Sequence, residues 1–349
     1  MLHIVDLVLL MTKIFVPGKL FLAGEYAITQ PGNLALIVAV ETGLTITIET
    51  SNDNSIIKSN IIATPLVFDI DHLSHDYHDE WRFVRAAIQI MHDYIYLNDL
   101  IANFNNINIT ISSDLNIATG KLGLGSSAAV TVAVVKAITQ HFDLKLDLLT
   151  QFKLAALAHL HVQQNGSLGD VAAITFGGAI AYTSPNLSSL NDNNHQWLNP
   201  VFVDKSWPLL SITPLPWPTD WQLVLGATHE SADTAKAVAN NTLDSRFLKT
   251  SQAIVQQVIV NLIHQNYHEF AKELHNNQDL LTRTLPKGYI TPKLKYLLST
   301  LNHTAGKISG AGFGDNGFAV INSPSTISDQ WLAAGIDVHM INIAPQNRG

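Results

Sequence analysis

Hydrophobic and polar positions follow two different periods along this chain. Leu44-Thr-Ile-Thr-Ile-Glu-Thr50 alternates apolar residues with threonine and glutamate, and Ile107-Asn-Ile-Thr-Ile-Ser112 does the same. A period of two marks half-buried strands. Residues 13–50 as a whole read as strands, punctuated by turns at Pro17-Gly18 and Gln30-Pro-Gly-Asn33. Residues 51–60 are polar and read as a hairpin loop. Apolar residues from Trp81 to Tyr96, and again from Leu148 to Val162, recur at helical spacing. Ser126 to Lys136 is small and apolar nearly all round, the mark of a buried helix. Gly178-Ala-Ile-Ala-Tyr182 and Phe318-Ala-Val-Ile321 read as strands. Residues 184–220, rich in Ser, Asn, Pro and Trp, read as a boundary between two domains. Beyond Gln222-Leu-Val-Leu-Gly226 the character changes, and residues 231–303 are mostly helical by period.

Composition agrees with a folded two-domain protein. The chain has 349 residues, 47% hydrophobic and 14% charged, against about 25% charged in an average domain. Apolar material is ample for a core, which excludes extended disorder. With 20 Lys+Arg against 28 Asp+Glu the net charge is −8, which disfavours a nucleic-acid-binding face. The absence of cysteine excludes a disulfide framework, a thiolate zinc site and a thiol nucleophile. It fits a reducing compartment, so a cytoplasmic location is expected. No segment reaches the roughly 18 consecutive apolar residues of a membrane helix. The apolar start, residues 1–10, lacks a basic region and a cleavage site. It is either an extension ahead of Met11 or an ordinary first strand.

Three glycine-rich loops carry the candidate chemistry. A Gly-rich turn opening a helix exposes unpaired N–H groups and the positive end of the helix dipole, an arrangement that binds phosphate. Gly120-Lys-Leu-Gly-Leu-Gly125 running into Ser126-Ser127 fits that description, with Lys121 adding a point charge. It is neither G-x-x-x-x-G-K-[ST] nor G-x-G-x-x-G. On its own it cradles phosphate or simply caps a helix. Asp170, after Asn165-Gly-Ser-Leu-Gly169, is a catalytic carboxylate or an N-cap. Lys19, after Pro17-Gly18, is a solvated or a catalytic lysine. The third loop, Ser309-Gly-Ala-Gly-Phe-Gly-Asp315, is a ligand loop or a tight interdomain turn.

The order of these segments narrows the choice. Pro17-Gly-Lys-Leu-Phe-Leu-Ala-Gly-Glu-Tyr26, Gly123-Leu-Gly-Ser-Ser-Ala-Ala129, Gly166-Ser-Leu-Gly-Asp170 and Ser309 to Asp315 span residues 13–325. Together they resemble the small-molecule kinase superfamily named for galactokinase, homoserine kinase, mevalonate kinase and phosphomevalonate kinase (GHMP). The nearest likeness is to its bacterial phosphomevalonate kinases, on Leu20 to Tyr26, Lys121 to Ser127, Asn165 to Ala173 and Gly177 to Tyr182.

The resemblance implies an α+β fold of two domains, a ribosomal-protein-S5-like one at about 11–190 and a ferredoxin-like one at about 215–349. It implies ATP and magnesium as cofactors and (R)-5-phosphomevalonate as substrate, phosphorylated to the 5-diphosphate. It implies no nucleic acid, no membrane, and a monomer or homodimer. The loop of Lys121, Gly123, Leu124, Gly125, Ser126, Ser127 and Ala128 would wrap the ATP phosphates, with Ser127 on magnesium. Lys19 and Asp170 would face the reacting phosphoryl group. Glu25, Tyr26, Ser167, Thr228, Ser309, Gly310, Ala311 and Gly312, with Lys19 and Asp170, would meet the substrate. Two departures stand out. Ala227 and His229 replace residues of a Gly-Trp-Thr-Gly-like substrate loop. His159 stands where mevalonate kinases carry a magnesium-binding Glu, and is read as a subfamily mark. The alternatives are a sister kinase acting on an alcohol, mevalonate or homoserine, and a non-catalytic ligand-binding member of the fold.

A substrate that is already a phosphate ester has an attacking oxygen with a second pKa near ~6, largely ionised at neutral pH. Asp170 then serves mainly to orient Lys19 and the metal–phosphate cluster. The segment Asp71 to His78 is His-rich but lies in a polar loop and reads as solvated surface. Trp207 and Trp217 read as packing of the domain junction.

Overall fold

The computed structural model describes residues 11–51, 54–117, 120–190, 197–230, 243–314 and 316–347, with only the backbone at 116–117 and 120–121. Residues 1–10, 231–234 and Asp315, and the side chain of Lys121, all discussed above, lie outside the described residues.

The first half is a seven-stranded sheet backed by helices. Its strands are β1 (Met11–Ala23), β2 (Leu34–Thr50), β3 (Ser55–Ser59), β4 (Leu66–Phe68), β5 (Ile107–Ser113), β8 (Ala179–Thr183) and β9 (Ser211–Leu215). Between β5 and the helix that follows, β6 (Asn116–Ile117) and β7 (Gly120–Lys121) form a short ribbon. The sheet order is β4-β3-β5-β2-β8-β9, with β1 also paired to β2. Helices α1 (Arg82–Leu97), α2 (Ser126–His141), α3 (Leu148–Gln163) and α4 (Gly169–Phe176) supply the other wall of the core. Helix α2 buries Ala128, Ala129, Val132, Ala133 and Val135 together, so its nearly uniform apolar surface matches its central place.

A short helix, α5 (Val201–Asp204), precedes β9, and the second half is a four-stranded antiparallel sheet with its own helices. Its elements are β10 (Gln222–Ala227), α6 (Ser245–Ile263), α7 (Tyr267–Thr284), α8 (Pro292–Leu301), β11 (Ala305–Ser309), β12 (Asn316–Ile321), α9 (Ile327–Ala333) and β13 (Asp337–Ile341). The order β11-β12-β10-β13 is that of the split βαβ, or ferredoxin-like, arrangement. Among the described residues no helix is long and apolar enough to cross a membrane.

Three local readings of the sequence are corrected. Pro17-Gly18 is not a turn: β1 runs straight through it as a bulge where the register with β2 shifts. A bulge is one of the few places inside a sheet that tolerates proline. Residues 55–59 form a strand, β3, which pairs in parallel with β5, a long-range partner that local polarity does not reveal. Within the Pro- and Trp-rich segment, Ser211–Leu215 forms β9, which hydrogen-bonds to β8 with Pro214 opposite Ile180. It ends the sheet order, and an edge strand accommodates the missing N–H. Trp207 packs on Phe152, and Trp217 stands edge-on to Trp221.

The two sheets are joined by side chains as well as by the chain. The Ser309 hydroxyl in β11 donates to the Phe21 carbonyl in β1 at 2.8 Å. Asn316 in β12 donates from Nδ2 to the Leu122 carbonyl just ahead of α2. The C-terminal tail returns to the first half, where Gly178 N–H donates to the Ala344 carbonyl at 3.0 Å.

Candidate active site

Past its bulge, β1 carries Lys19 to the loop that opens α2. The Lys19 N–H donates to the Leu124 carbonyl at 2.9 Å, and Nζ donates to the Gly123 carbonyl at 3.0 Å. Gly125 is the N-cap of α2, in the left-handed region with φ 83°. A Cβ there would stand 2.8 Å from Lys19 Cε. The left-handed φ favours glycine at this point, and any Cβ would push the lysine aside. Gly125 has no side chain with which to cap the helix, so the first N–H groups of α2 face outward with the dipole behind them.

Ser126 and Ser127 are the first residues of α2. The Ser127 hydroxyl is 3.2 Å from His159 Nε2 in α3. Asp170 is the second residue of α4, whose N-cap is Leu168, so the carboxylate is not the helix cap. Its Oδ1 accepts from the Val171 N–H at 2.9 Å. Phe21 packs between Lys19 and the start of α4. Its ring lies 5.6 Å beneath Lys19 Nζ, and its edge is 3.2 Å from where a Cβ of Gly169 would be.

Ser127 lines two cavities. One, of about 230 Å³, is otherwise lined by His159, Gln163, Asn165, Gly166, Ser167 and Asp170 among others. The second, of about 370 Å³, is mostly apolar and takes Leu44, Ile61, Ile62, Trp81, Phe83 and Val130 among its walls, with Ser126 and Ser127 at one end. Its linings come from β2, the turn after β3, α1, β5 and α2. Sequence reasoning had no signal for it, because its walls come from five segments far apart in the chain. The Tyr182 hydroxyl donates to the Ser167 carbonyl at 2.6 Å. Burial, reinforced by the nearby Asp170 charge, holds that phenol well above its usual range.

The remaining sequence-derived residues tie the turn after β1 to the second half. Glu25 is 5% exposed and accepts from Lys307 Nζ, 0% exposed, at 2.6 Å. Its other oxygen has no partner among the described residues. Lys307 is thus enclosed with its own carboxylate and is not a free positive charge for a ligand. The Tyr26 hydroxyl donates to the Ala311 carbonyl, which ties the turn after β1 to the third glycine-rich loop. In that loop Gly310 and Gly312 have φ 76° and 75°. A Cβ on Gly312 would lie 2.2 Å from the Tyr289 ring, so the loop is held against an aromatic wall. Thr228 is fully buried and donates from Oγ1 to the Gly314 carbonyl. Its own carbonyl accepts from Lys293 Nζ at 2.9 Å, a contact with no local sequence signal. His229, where the resembling family has glycine, adopts φ 53° and pairs with Asp337 at 2.8 Å.

The arrangement suits a nucleoside triphosphate. A mostly apolar chamber of base-like size opens at the uncapped start of α2, where Ser127 also lines the cavity of Asp170, and Lys19 donates to the loop just ahead of that helix. Ser127, Ser167 and Asp170 present hydroxyl and carboxylate oxygens there, donors suited to a hard cation that arrives on phosphates and keeps most of its ligands from them and from water.

Comparison with known proteins bears on this geometry. Residues 82–178 match the family model for the GHMP kinases N terminal domain, and residues 258–337 that for GHMP kinases C terminal. The chain is 30% identical to a phosphomevalonate kinase of a Streptomyces species, over 92% of this chain and 94% of that one. It is 27% identical to a mevalonate kinase of Methanocaldococcus jannaschii, over 47% of this chain and 51% of that one. Among solved structures it superposes on Streptococcus pneumoniae phosphomevalonate kinase in complex with phosphomevalonate and AMPPNP, with TM-score 0.82 and 26% identity. That match covers 94% of this chain and 99% of the other.

Proposed function

The chain belongs to the GHMP kinase family, and we propose that within it the protein is a phosphomevalonate kinase, transferring the γ-phosphoryl group of ATP to (R)-5-phosphomevalonate in the mevalonate pathway. The observation that carries the reading is the uncapped, serine-bearing start of α2: Ser127 there lines both cavities, one of them with Asp170, and Lys19 donates to the Gly123 carbonyl of the same loop. The near-full-length similarity to phosphomevalonate kinases supports the choice of substrate. The finer features of the reading are a cytoplasmic enzyme, a monomer or homodimer, and domains of about 11–190 and 215–349.

In this reading the base occupies the apolar chamber and the phosphates extend over Ser126 and Ser127 toward Lys19. Two phosphate-bearing molecules must be gathered by a protein of net charge −8. Positive potential is therefore focused at the start of α2 and at Lys19 rather than spread over a face. The acceptor enters from the side of Asp170 and Ser167, against the loop Ser309 to Gly312 that Tyr26 and Tyr289 hold in place. An oxygen of its phosphate forms the new bond to the γ-phosphorus as the bond to the β-phosphate oxygen breaks, and ADP leaves with that electron pair. Magnesium, when carried on the nucleotide, supplies charge neutralisation for the transferring group. Lys19 supplies a further point charge, held in place through its contact with Gly123.

Asp170 has little to do as a proton acceptor here, because a phosphate monoester with second pKa near ~6 is mostly ionised at pH 7. Its charge orients the cationic partners instead. Product analysis tests the proposal: with MgATP and phosphomevalonate, phosphorus NMR should show ADP and a new diphosphate ester. A protein that makes only a monoester, from mevalonate or homoserine, would refute it.

A further inference from the structure

Tyr182 stands behind the cavity of Asp170 and is not among its lining residues. It is 0% exposed. Its strand, β8, is paired on both sides, with Tyr182 opposite Ala35 of β2 and Ile212 of β9. The phenol therefore has a rigid mount. Its hydroxyl donates to the Ser167 carbonyl at 2.6 Å. Its ring packs on the same turn, with Cδ1 3.2 Å from where a Cβ of Gly169 would be. Ser167, Leu168 and Asp170 do line the cavity. Among them Leu168 adopts φ 64° and ψ 7°, a left-handed conformation that leucine rarely takes. A residue stays in such a conformation only where its surroundings impose it.

We propose that Tyr182 is a positioning residue for the acceptor: its hydroxyl holds the Ser167–Leu168 peptide with the carbonyl turned into the core, and so keeps the negative end of that dipole out of the cavity that receives the acceptor's phosphate. The proposal rests on the phosphomevalonate kinase reading above. In a planar trans peptide the C=O and the following N–H point in opposite directions. With the Ser167 carbonyl on Tyr182, the Leu168 N–H points away from Tyr182, to the cavity side. Half a turn of this peptide would carry Leu168 φ into the negative region that leucine prefers. The same rotation would swing the carbonyl oxygen off Tyr182 and toward the cavity, where it would face an anion oxygen to oxygen. Local backbone preference thus favours the wrong orientation of the peptide, and the phenol supplies the bond that opposes it. Lys19 and the loop ahead of α2 are held by their own contacts, so the effect falls on the acceptor rather than on the nucleotide.

Tyr182→Phe keeps the ring and removes the O–H. At saturating MgATP its KM for phosphomevalonate should rise about tenfold, while its Kd for ADP by calorimetry stays that of wild type. Tyr182→fluorotyrosine retains the O–H and should keep the wild-type KM. Its fluorine NMR resonance should shift when phosphomevalonate is added and hold when ADP is added, which reads the contact even if the phenylalanine variant fails to fold. A Tyr182→Phe KM equal to that of wild type, or an equal weakening of ADP and acceptor, would overturn the proposal and leave the kinase reading standing. So would a fluorine resonance that ignores the acceptor. Wild-type protein that did not turn over phosphomevalonate would overturn that reading and the proposal with it.

Discussion

Glu25 and Lys307 lie 282 residues apart and form an ion pair of 2.6 Å that solvent scarcely reaches. The pair joins the turn after β1 to β11, where Ser309, two residues beyond Lys307, makes its contact with Phe21. It therefore holds the third glycine-rich loop in register with the strand that bears Lys19. Removing one partner of a buried pair strands the other charge, at a cost of about 3–5 kcal/mol. Lys307→Met should accordingly destabilise the protein by that order, measured by denaturant unfolding. The double variant Glu25→Gln, Lys307→Met should be milder than Lys307→Met alone, because no uncompensated charge remains. A single variant as stable as wild type would contradict this account of the junction.

Gly125 gives way to the lysine. A Cβ at that position meets Lys19 Cε at 2.8 Å, and φ is 83°. Gly125→Ala should displace the lysine from Gly123 while leaving the fold intact by circular dichroism. A misplacement near 1 Å in a catalytic group costs on the order of 10²-fold in turnover. Unchanged kcat in Gly125→Ala would show that the position of Lys19 does not matter.

Lys136 points from α2 to the Thr175 carbonyl at 2.9 Å, and burial pushes its ammonium down to about 8 from the usual 10.5. Above pH 8 the folded protein releases this proton, while the unfolded chain keeps it to about 10.5. The unfolded state then binds more protons, so this group makes stability rise with pH across that window, and its cost is present in full below it. Lys136→Met should remove the cost. Thr175 keeps a donor, since Asn347 Nδ2 also reaches its carbonyl at 2.8 Å. The expected gain at pH 7 is about 1–3 kcal/mol, shrinking as pH approaches 10. A variant less stable than wild type at pH 7 would contradict it.

Much of this was legible in the sequence. The loops at 123–127 and 165–170 stood out as glycine and serine clustered ahead of a helix, and 309–312 as a glycine cluster that proves to join β11 to β12. Alternation picked out β2 and β5, and apolar uniformity picked out α2. What escaped depends on distant partners. The bulge at Pro17-Gly18 is visible only against β2, and β9 only against β8. The base-sized chamber is assembled from Leu44, Ile61, Phe83 and Val130, distant in sequence and none of them marked as a ligand residue by its local pattern. Glu25 reads as a motif residue open to ligand, and only the fold shows it enclosed with Lys307. His159 reads as one position on a helix until α3 brings it against Ser127.

Asp170 is assigned an orienting role, and pH separates this from general-base catalysis. With an ionised phosphate as attacker, the acidic limb of kcat/KM should follow the substrate's second pKa near ~6. That limb should persist in Asp170→Asn at lower amplitude. If it disappears in the variant while substrate affinity is unchanged, the limb belonged to the carboxylate, and general-base catalysis, typically worth ~10²–10⁴-fold, replaces the orienting role.

The central claim is that the acceptor is a phosphate ester, and the ratio of specificity constants for two acceptors tests it most directly. Coupled ADP release is followed under identical MgATP for phosphomevalonate and for mevalonate. The account predicts a kcat/KM for phosphomevalonate greater by orders of magnitude, since the cleft gathers anionic groups at Lys19 and the start of α2. Equal constants, or a preference for mevalonate, would contradict it and make the protein an alcohol kinase of the same fold.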